Sequence, residues 1–170
     1  MNGEALRAMQ APIKEAYRRA PESALVTSRV VLQLEPERLA VRLVADRAPM
    51  AGLHPATGGT GAAACSADLL LESLAACAGV TLLAVATASG VPIRGGQVRA
   101  EGTWDARGTL GVDKSVPVGI QTIRLFFDVQ GSADPATCER LVRTAERYCV
   151  VLATLRGSTP IEVGFSINAV

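Results

Sequence analysis

The chain has 170 residues, with 17 Lys+Arg against 16 Asp+Glu and a formal charge of +1. That length suits one domain with a substantial core, and the near-neutral balance supplies no field for holding nucleic acid or an anionic membrane. Hydrophobic residues make up 49% and charged ones 19%, which excludes a disordered chain.

Residues 3–20 predict an amphipathic helix or two short ones. Leu6, Met9, Ile13 and Tyr17 recur at steps of three and four, Pro12 interrupts, and Arg7, Lys14, Arg18 and Arg19 share the polar side. Acids, a proline and no apolar core segment at the start argue against a signal peptide, so a cytoplasmic protein is expected. Residues 24–34 and 38–46 predict a hairpin, with Leu39, Val41 and Leu43 alternating and Glu35-Pro36-Glu37 as the turn. Residues 47–66 carry four Gly and two Pro without a period and predict a long loop, of the kind that tends to be functional.

A helix from about Ser66 to Ser89 follows, with Ser66 as N-cap, Asp68 in the first turn, and Gly90 and Pro92 closing it. Its run from Leu69 to Gly90 raises the question of a membrane span. Asp68, Glu72 and the many Ala, Thr and Ser favour a buried helix of a soluble protein, with no membrane contact. Every face carries Leu, Ala or Val, so burial on nearly all sides is expected. One sheet face and one further helix leave a side open, which a second copy would cover in an interwoven homodimer. Residues 96–105 and 120–130 predict strands joined by a loop at 106–119. Asp134 caps a second long helix with Pro135 at its first position, and Leu141, Val142, Ala145, Tyr148, Cys149 and Leu152 form its apolar stripe. Ile161, Val163, Phe165 and Ile167 alternate over a closing strand. The order defines an α+β domain.

The four cysteines stand at 65, 77, 138 and 149, spaced by 12, 61 and 11. No CxxC pair is present and His54 is the only imidazole, so no metal or other cofactor is expected. Reactive thiols and plain buried thiols remain. Cys77 lies midway along its helix, where the macrodipole offers little. Ser73 and Thr81 flank it at i−4 and i+4 and could donate to a thiolate; equally, it could be a small packing residue among Ala75, Ala76, Ala78 and Gly79. Cys65 directly precedes the helix start, where unpaired N–H groups could activate it as a second candidate thiol. Cys138 is expected to be structural.

The segment DLLLESLAACAGVTLLAVATASG, followed some seventy residues later by AERYCVVLATL, resembles the OsmC/Ohr superfamily over about residues 24–168. The resemblance implies an intertwined homodimer of curved antiparallel sheets packed around long central helices. It places the domain at 23–170, with 1–22 as an N-terminal helical extension. The implied activity is that of a cysteine-based peroxidase reducing organic hydroperoxides in oxidative-stress defence, with Cys77 as peroxidatic and Cys149 as resolving thiol and an external dithiol as reductant. Family members also place an Arg in the loop before the central helix and a Glu at its start. Here Thr57 and Ala67 stand at those spacings; the nearest bases are Arg47 and His54, and the nearest acids Asp68 and Glu72. Among the bases Arg47 leads, since a guanidinium keeps its charge when buried. These departures align the chain with the divergent OsmC-like proteins. The alternative expectation is a non-catalytic protein that binds or senses a small hydrophobic or thiol-reactive ligand at the dimer interface.

Overall fold

The computed structural model describes residues 2–5, 8, 11, 19, 32–35, 40–43, 50–110 and 114–164. In the N-terminal segment, positions 3–5, 8, 11 and 19 are helical, and Asn2 Oδ1 accepts the N–H of Ala5 at 2.9 Å. Leu6, Met9, Ile13, Tyr17 and the boundary near residue 22 lie outside the described residues, as do 24–31, 36–39 and 44–49 with the Arg47 candidate.

Strands β1 (Leu32–Glu35) and β2 (Ala40–Leu43) pair antiparallel, Glu35 against Ala40, as the hairpin pattern predicts. The expected long loop holds more structure than its composition suggests. Strand β3 (Met50–Gly52) pairs antiparallel with β2, a 3-10 turn spans Pro55–Thr57, and β4 (Ala64–Cys65) pairs parallel with β3. Strands of two and three residues are too short to show a period, which is why they escape pattern reading. Gly59 is required where it stands: a Cβ there would lie 1.7 Å from the Leu53 carbonyl oxygen.

Helix α1 (Ser66–Ala88) is the central element. Its N-cap is Cys65, extended at φ −72° and ψ 140° and without a side-chain cap bond, so Ser66 is the first helical residue rather than the cap. At the far end Gly90 adopts φ 69°, its N–H bonds the Thr87 carbonyl and that of Val91 the Ala86 carbonyl. This Schellman pattern closes the helix where Gly90 predicts. In the single chain α1 is buried along one stripe, Leu74, Ala78, Leu82 and Ala86, and a side stays open, as expected of one copy alone. Val80 and Leu83 are 68% and 53% exposed on another face. The helix is long and apolar enough to cross a bilayer, and its stripe is the centre of both core clusters.

Strands β5 (Ile93–Thr103) and β6 (Thr122–Gly131) form a long antiparallel pair. Val98, Ala100, Ile123, Leu125 and Phe127 project from it onto the first α1 cluster. The connection between them contains a four-residue helix, α2 (Ala106–Thr109), inside the predicted loop.

Helix α3 (Pro135–Tyr148) starts as predicted, with the Asp134 carboxylate accepting the Thr137 N–H at 3.0 Å and Pro135 in the first turn. It does not run through Cys149. That residue is extended at φ −73° and ψ 109°, ending α3 and capping a new helix, α4 (Val150–Arg156). Leu141, Ala145, Cys149 and Leu152 stay buried across the break, whereas Tyr148 leaves the expected stripe: it is exposed, with the Arg147 guanidinium over its ring. Arg156 reaches back to Glu146 at 3.2 Å and ties α4 to α3. The closing strand is not formed over 161–164, where Ile161 and Val163 are exposed and pair with no strand; Phe165 and Ile167 lie outside the described residues.

A thiol pair at a helix break as the candidate site

The stripe of α1 places Cys77 beside Leu74 and Ala78, half-buried against the cluster that contains Cys149 and Leu152. Cys149 is buried, with 1% of its surface exposed. Both are free thiols, they pack in the same cluster, and each shifts the pKa of the other. The break gives this contact its chemistry. The first N–H groups of a helix have no partner within it, and in α4 the ladder opens only with Ala153 N–H to the Cys149 carbonyl at 2.9 Å. The N–H groups of Val151 and Val150 act instead on the Cys77 thiol, whose pKa they lower.

Burial pushes the Cys77 thiol up, but the Val151 N–H, Cys149, the Val150 N–H and Thr81 together outweigh it, so its pKa lies below the ordinary thiol value. The Thr81 hydroxyl also donates to the Cys77 carbonyl at 2.8 Å; with a single proton it serves one acceptor at a time. Cys149 moves the other way. Burial raises it first, the Leu152 and Val151 N–H groups offset part of this, and the hydrogen bond and negative charge of Cys77 hold it above the ordinary value. The pair is therefore polarised: Cys77 takes the charge and Cys149 keeps the proton.

The other predicted residues are placed elsewhere. Glu72 and Asp68 are exposed on α1. Five residues at 100° each set Glu72 about 140° round the helix from Cys77. Ser73, one turn before Cys77, is exposed, so of the two flanking hydroxyls only Thr81 acts on the sulfur. His54 and Cys65 lie at the foot of α1. They share a cavity of about 390 Å³ with Trp104, Thr57, Ala67 and Leu70, and Leu70 is seven residues, roughly 10 Å of helix rise, from Cys77. Thr57 and Ala67, at the spacings where the resemblance implies Arg and Glu, thus face the same space. Cys138 sits in the first turns of α3 with its thiol 3.8 Å from the Ala133 carbonyl. Among the described residues no group of three or more His, Cys, Asp or Glu could hold a metal ion. The donors that sequence reasoning missed are backbone groups, the N–H of Val150 and Val151, and no side-chain motif announces them.

A central helix carrying one cysteine, backed by a long antiparallel strand pair and met by a second cysteine on a broken helix, defines a two-thiol α+β protein. Residues 59–164 match the family described as OsmC-like protein, and the chain belongs to that family. Among solved structures it is similar to an OsmC-like protein from Mycoplasma pneumoniae, at 17% identity and TM-score 0.65 over 78% of this chain and 89% of that one. It is similar to the organic hydroperoxide resistance protein OsmC of Legionella pneumophila, at 16% identity and TM-score 0.60, covering 78% and 93%. The organic hydroperoxide resistance protein OhrB of Bacillus subtilis matches at 20% identity and TM-score 0.56, covering 79% and 94%. At these identities the likeness is one of fold. No curated protein matches the sequence.

Proposed function

We propose that the chain is a thiol-dependent peroxidase that reduces organic hydroperoxides in the cytoplasm, with Cys77 as the peroxidatic and Cys149 as the resolving thiol. The observation that supports it is the contact of two free thiols whose pKa values are driven apart. The Cys77 thiolate attacks the terminal oxygen of the hydroperoxide; an S–O bond forms, the O–O bond breaks, and the departing alkoxide takes a proton to become an alcohol. The Cys149 sulfur then attacks the Cys77 sulfenic acid, and hydroxide leaves with the Cys149 proton as water. Two exchanges with an external dithiol restore both thiols. The family relationship and the hydroperoxide-resistance relatives point the same way.

The active form in this proposal is a homodimer. Val80, Leu83 and Leu70 on α1, with Ile161 and Val163 after α4, leave apolar surface uncovered in one chain, and a second copy would bury it. A monodisperse monomer at micromolar concentration would count decisively against this.

Peroxide-dependent oxidation of a dithiol, with cumene hydroperoxide set against hydrogen peroxide, tests the reaction. Turnover that favours the organic peroxide, with a Cys77–Cys149 disulfide in peptide maps, is the expected result. A second reading, a binding protein without turnover, is favoured by Thr57 and Ala67, which leave a cavity at the positions implied for Arg and Glu. A reactive Cys77 with no dithiol consumption would establish it.

A further inference from the structure

Thr81 stands one turn after Cys77 on α1, half-buried, and its hydroxyl donates to the Cys77 carbonyl at 2.8 Å. By itself that bond is ordinary. Thr87, Thr144 and Thr154 donate in the same way to the carbonyls of Leu83, Arg140 and Val150, at 2.8, 2.7 and 2.9 Å. What sets Thr81 apart is a second acceptor, because the residue four positions back carries a thiol on which the same hydroxyl acts. The two acceptors differ in what they can hold. A neutral thiol sulfur accepts weakly, so the proton stays on the carbonyl; a thiolate is charged, and charge-assisted hydrogen bonds are roughly twice as strong as neutral ones. Releasing the carbonyl costs little, since the Thr81 N–H is its regular helical partner. In the cluster around Cys77 the other titratable group is Cys149. Strands β5 and β6 turn Val98, Ala100 and Leu125 into that cluster, while Arg99 and Arg124 are exposed.

We propose that Thr81 is a positioning residue for the reacting sulfur: its hydroxyl proton rests on the Cys77 carbonyl while that sulfur is a thiol or is oxidised, and turns to it when the thiolate forms. The inference rests on Cys77 as the reacting thiol of the proposed function, but not on peroxide as its substrate. The backbone donors at the start of α4 are fixed by the fold, whereas the Thr81 proton follows the charge and withdraws once the attack has spent it. Such a donor has two opposing effects. It raises the fraction of Cys77 that is thiolate near neutral pH. It also lowers the reactivity of each thiolate, because nucleophilicity falls with thiol pKa at a Brønsted slope of about 0.4–0.5.

Iodoacetamide alkylation of Cys77 in the reduced full-length protein, read by peptide mapping against pH, separates the two effects and needs no peroxide. Thr81→Val keeps the β-branched shape and removes the hydroxyl. In this variant the rate below the pKa should fall and the plateau above it should rise by roughly the same factor, as a slope of about one half requires. The ultraviolet absorption of the thiolate should move to higher pH in step. Thr81→Ala, which favours the helix more than Val does, is a second deletion of the hydroxyl and should give the same crossed profile. Thr81→Ser should return both limbs toward the wild type, and Thr87→Val, which loses the same kind of bond further along α1, should leave them unchanged. A crossed profile without dithiol consumption under peroxide would uphold this role while removing the peroxidase reading. Both limbs falling together in Thr81→Val and Thr81→Ala, a profile unmoved by either, or a Ser variant that restores nothing would overturn the proposal.

Discussion

The two helical regions that supply the thiols are built in opposite ways. Helix α1 is unbroken over 23 residues, and it presents Cys77 from its middle, where its own backbone N–H groups are all consumed. The second region is interrupted at Cys149 after 14 residues and resumes for seven. The regular helix contributes a sulfur and a wall; the broken one contributes the donors that stabilise a thiolate. A thiol in mid-helix among Ala and Leu ought to be quiet by desolvation. Cys77 is instead lowered, because a neighbouring helix begins beside it.

The sharpest way to break that division of labour is to remove one sulfur at a time. Cys77→Ser should abolish dithiol consumption entirely. Cys149→Ser should leave a single oxidation of Cys77 to sulfenic acid, with no disulfide within the chain and no sustained turnover. Cys138→Ser should match the wild type. Equal loss in Cys77→Ser and Cys138→Ser would mean that the polarised pair is not the reacting centre.

The wall can be tested apart from the sulfurs. Leu74 is fully buried against Cys149 and Leu152, so Leu74→Ala should cost ~2–5 kcal/mol, the range for a buried Leu whose cavity only partly collapses. Denaturant unfolding measures it. If α4 relaxes into the space, the Val150 and Val151 N–H groups shift from Cys77 and its alkylation at neutral pH should slow as well.

Much of this architecture is legible in the amino-acid sequence, and its limits have physical causes. Gly90 closes α1 and Asp134-Pro135 opens α3 because each motif satisfies its helix end locally. The break at Cys149 is invisible. Leu141, Ala145, Cys149 and Leu152 keep steps of four, four and three, and neither Gly nor Pro marks the stop. The thiol pair itself was readable from the resemblance, but its polarity was not, since that depends on backbone groups that every residue owns. Arg47, the first choice for an activating cation, lies outside the described residues, and His54, the second, is held at the foot of α1 with Trp104. The alternation from Ile161 to Ile167 signals a strand, yet a strand forms only against another edge, and pattern alone does not supply one.

A subtler variant addresses the donors. Val150 opens α4 and Cys149 before it is extended, the conformation that a residue preceding proline prefers, and proline suits the first position of a helix. Val150→Pro should therefore fold normally while deleting one N–H that lowers Cys77. The Cys77 pKa, read from alkylation rate against pH, should rise, with a loss of thiolate where thiol is the major form. The stability contribution has a defined sign. Because the folded pKa of Cys77 is depressed, its stabilisation is present above the unfolded thiol pKa and is lost as pH falls through the folded value. Val150→Pro should shrink that span. An unchanged pH profile would assign the lowered pKa to the Val151 N–H, Cys149 and Thr81 instead.

The smallest effect belongs to the far end of α3, where Asp134 caps the helix in full solvent. Its carboxylate accepts from the Thr137 hydroxyl at 2.7 Å as well as from the Thr137 N–H, and these bonds hold its pKa below the ordinary carboxylate value. A depressed carboxyl pKa stabilises the fold above the unfolded value, near 4, and loses that contribution as pH falls through the folded one. Asp134→Ala should lower Tm modestly at pH 7. Asp134→Asn, which keeps an acceptor but no charge, should fall between the two and differ from wild type mainly above about pH 4. Neither variant should move the Cys77 alkylation profile, because the cap acts on the first turn of α3 and the thiol is governed by the first turn of α4. A shift of that profile in Asp134→Ala would show that the two halves of the broken helix move as one body, and that the joint at Cys149 transmits what happens at the cap.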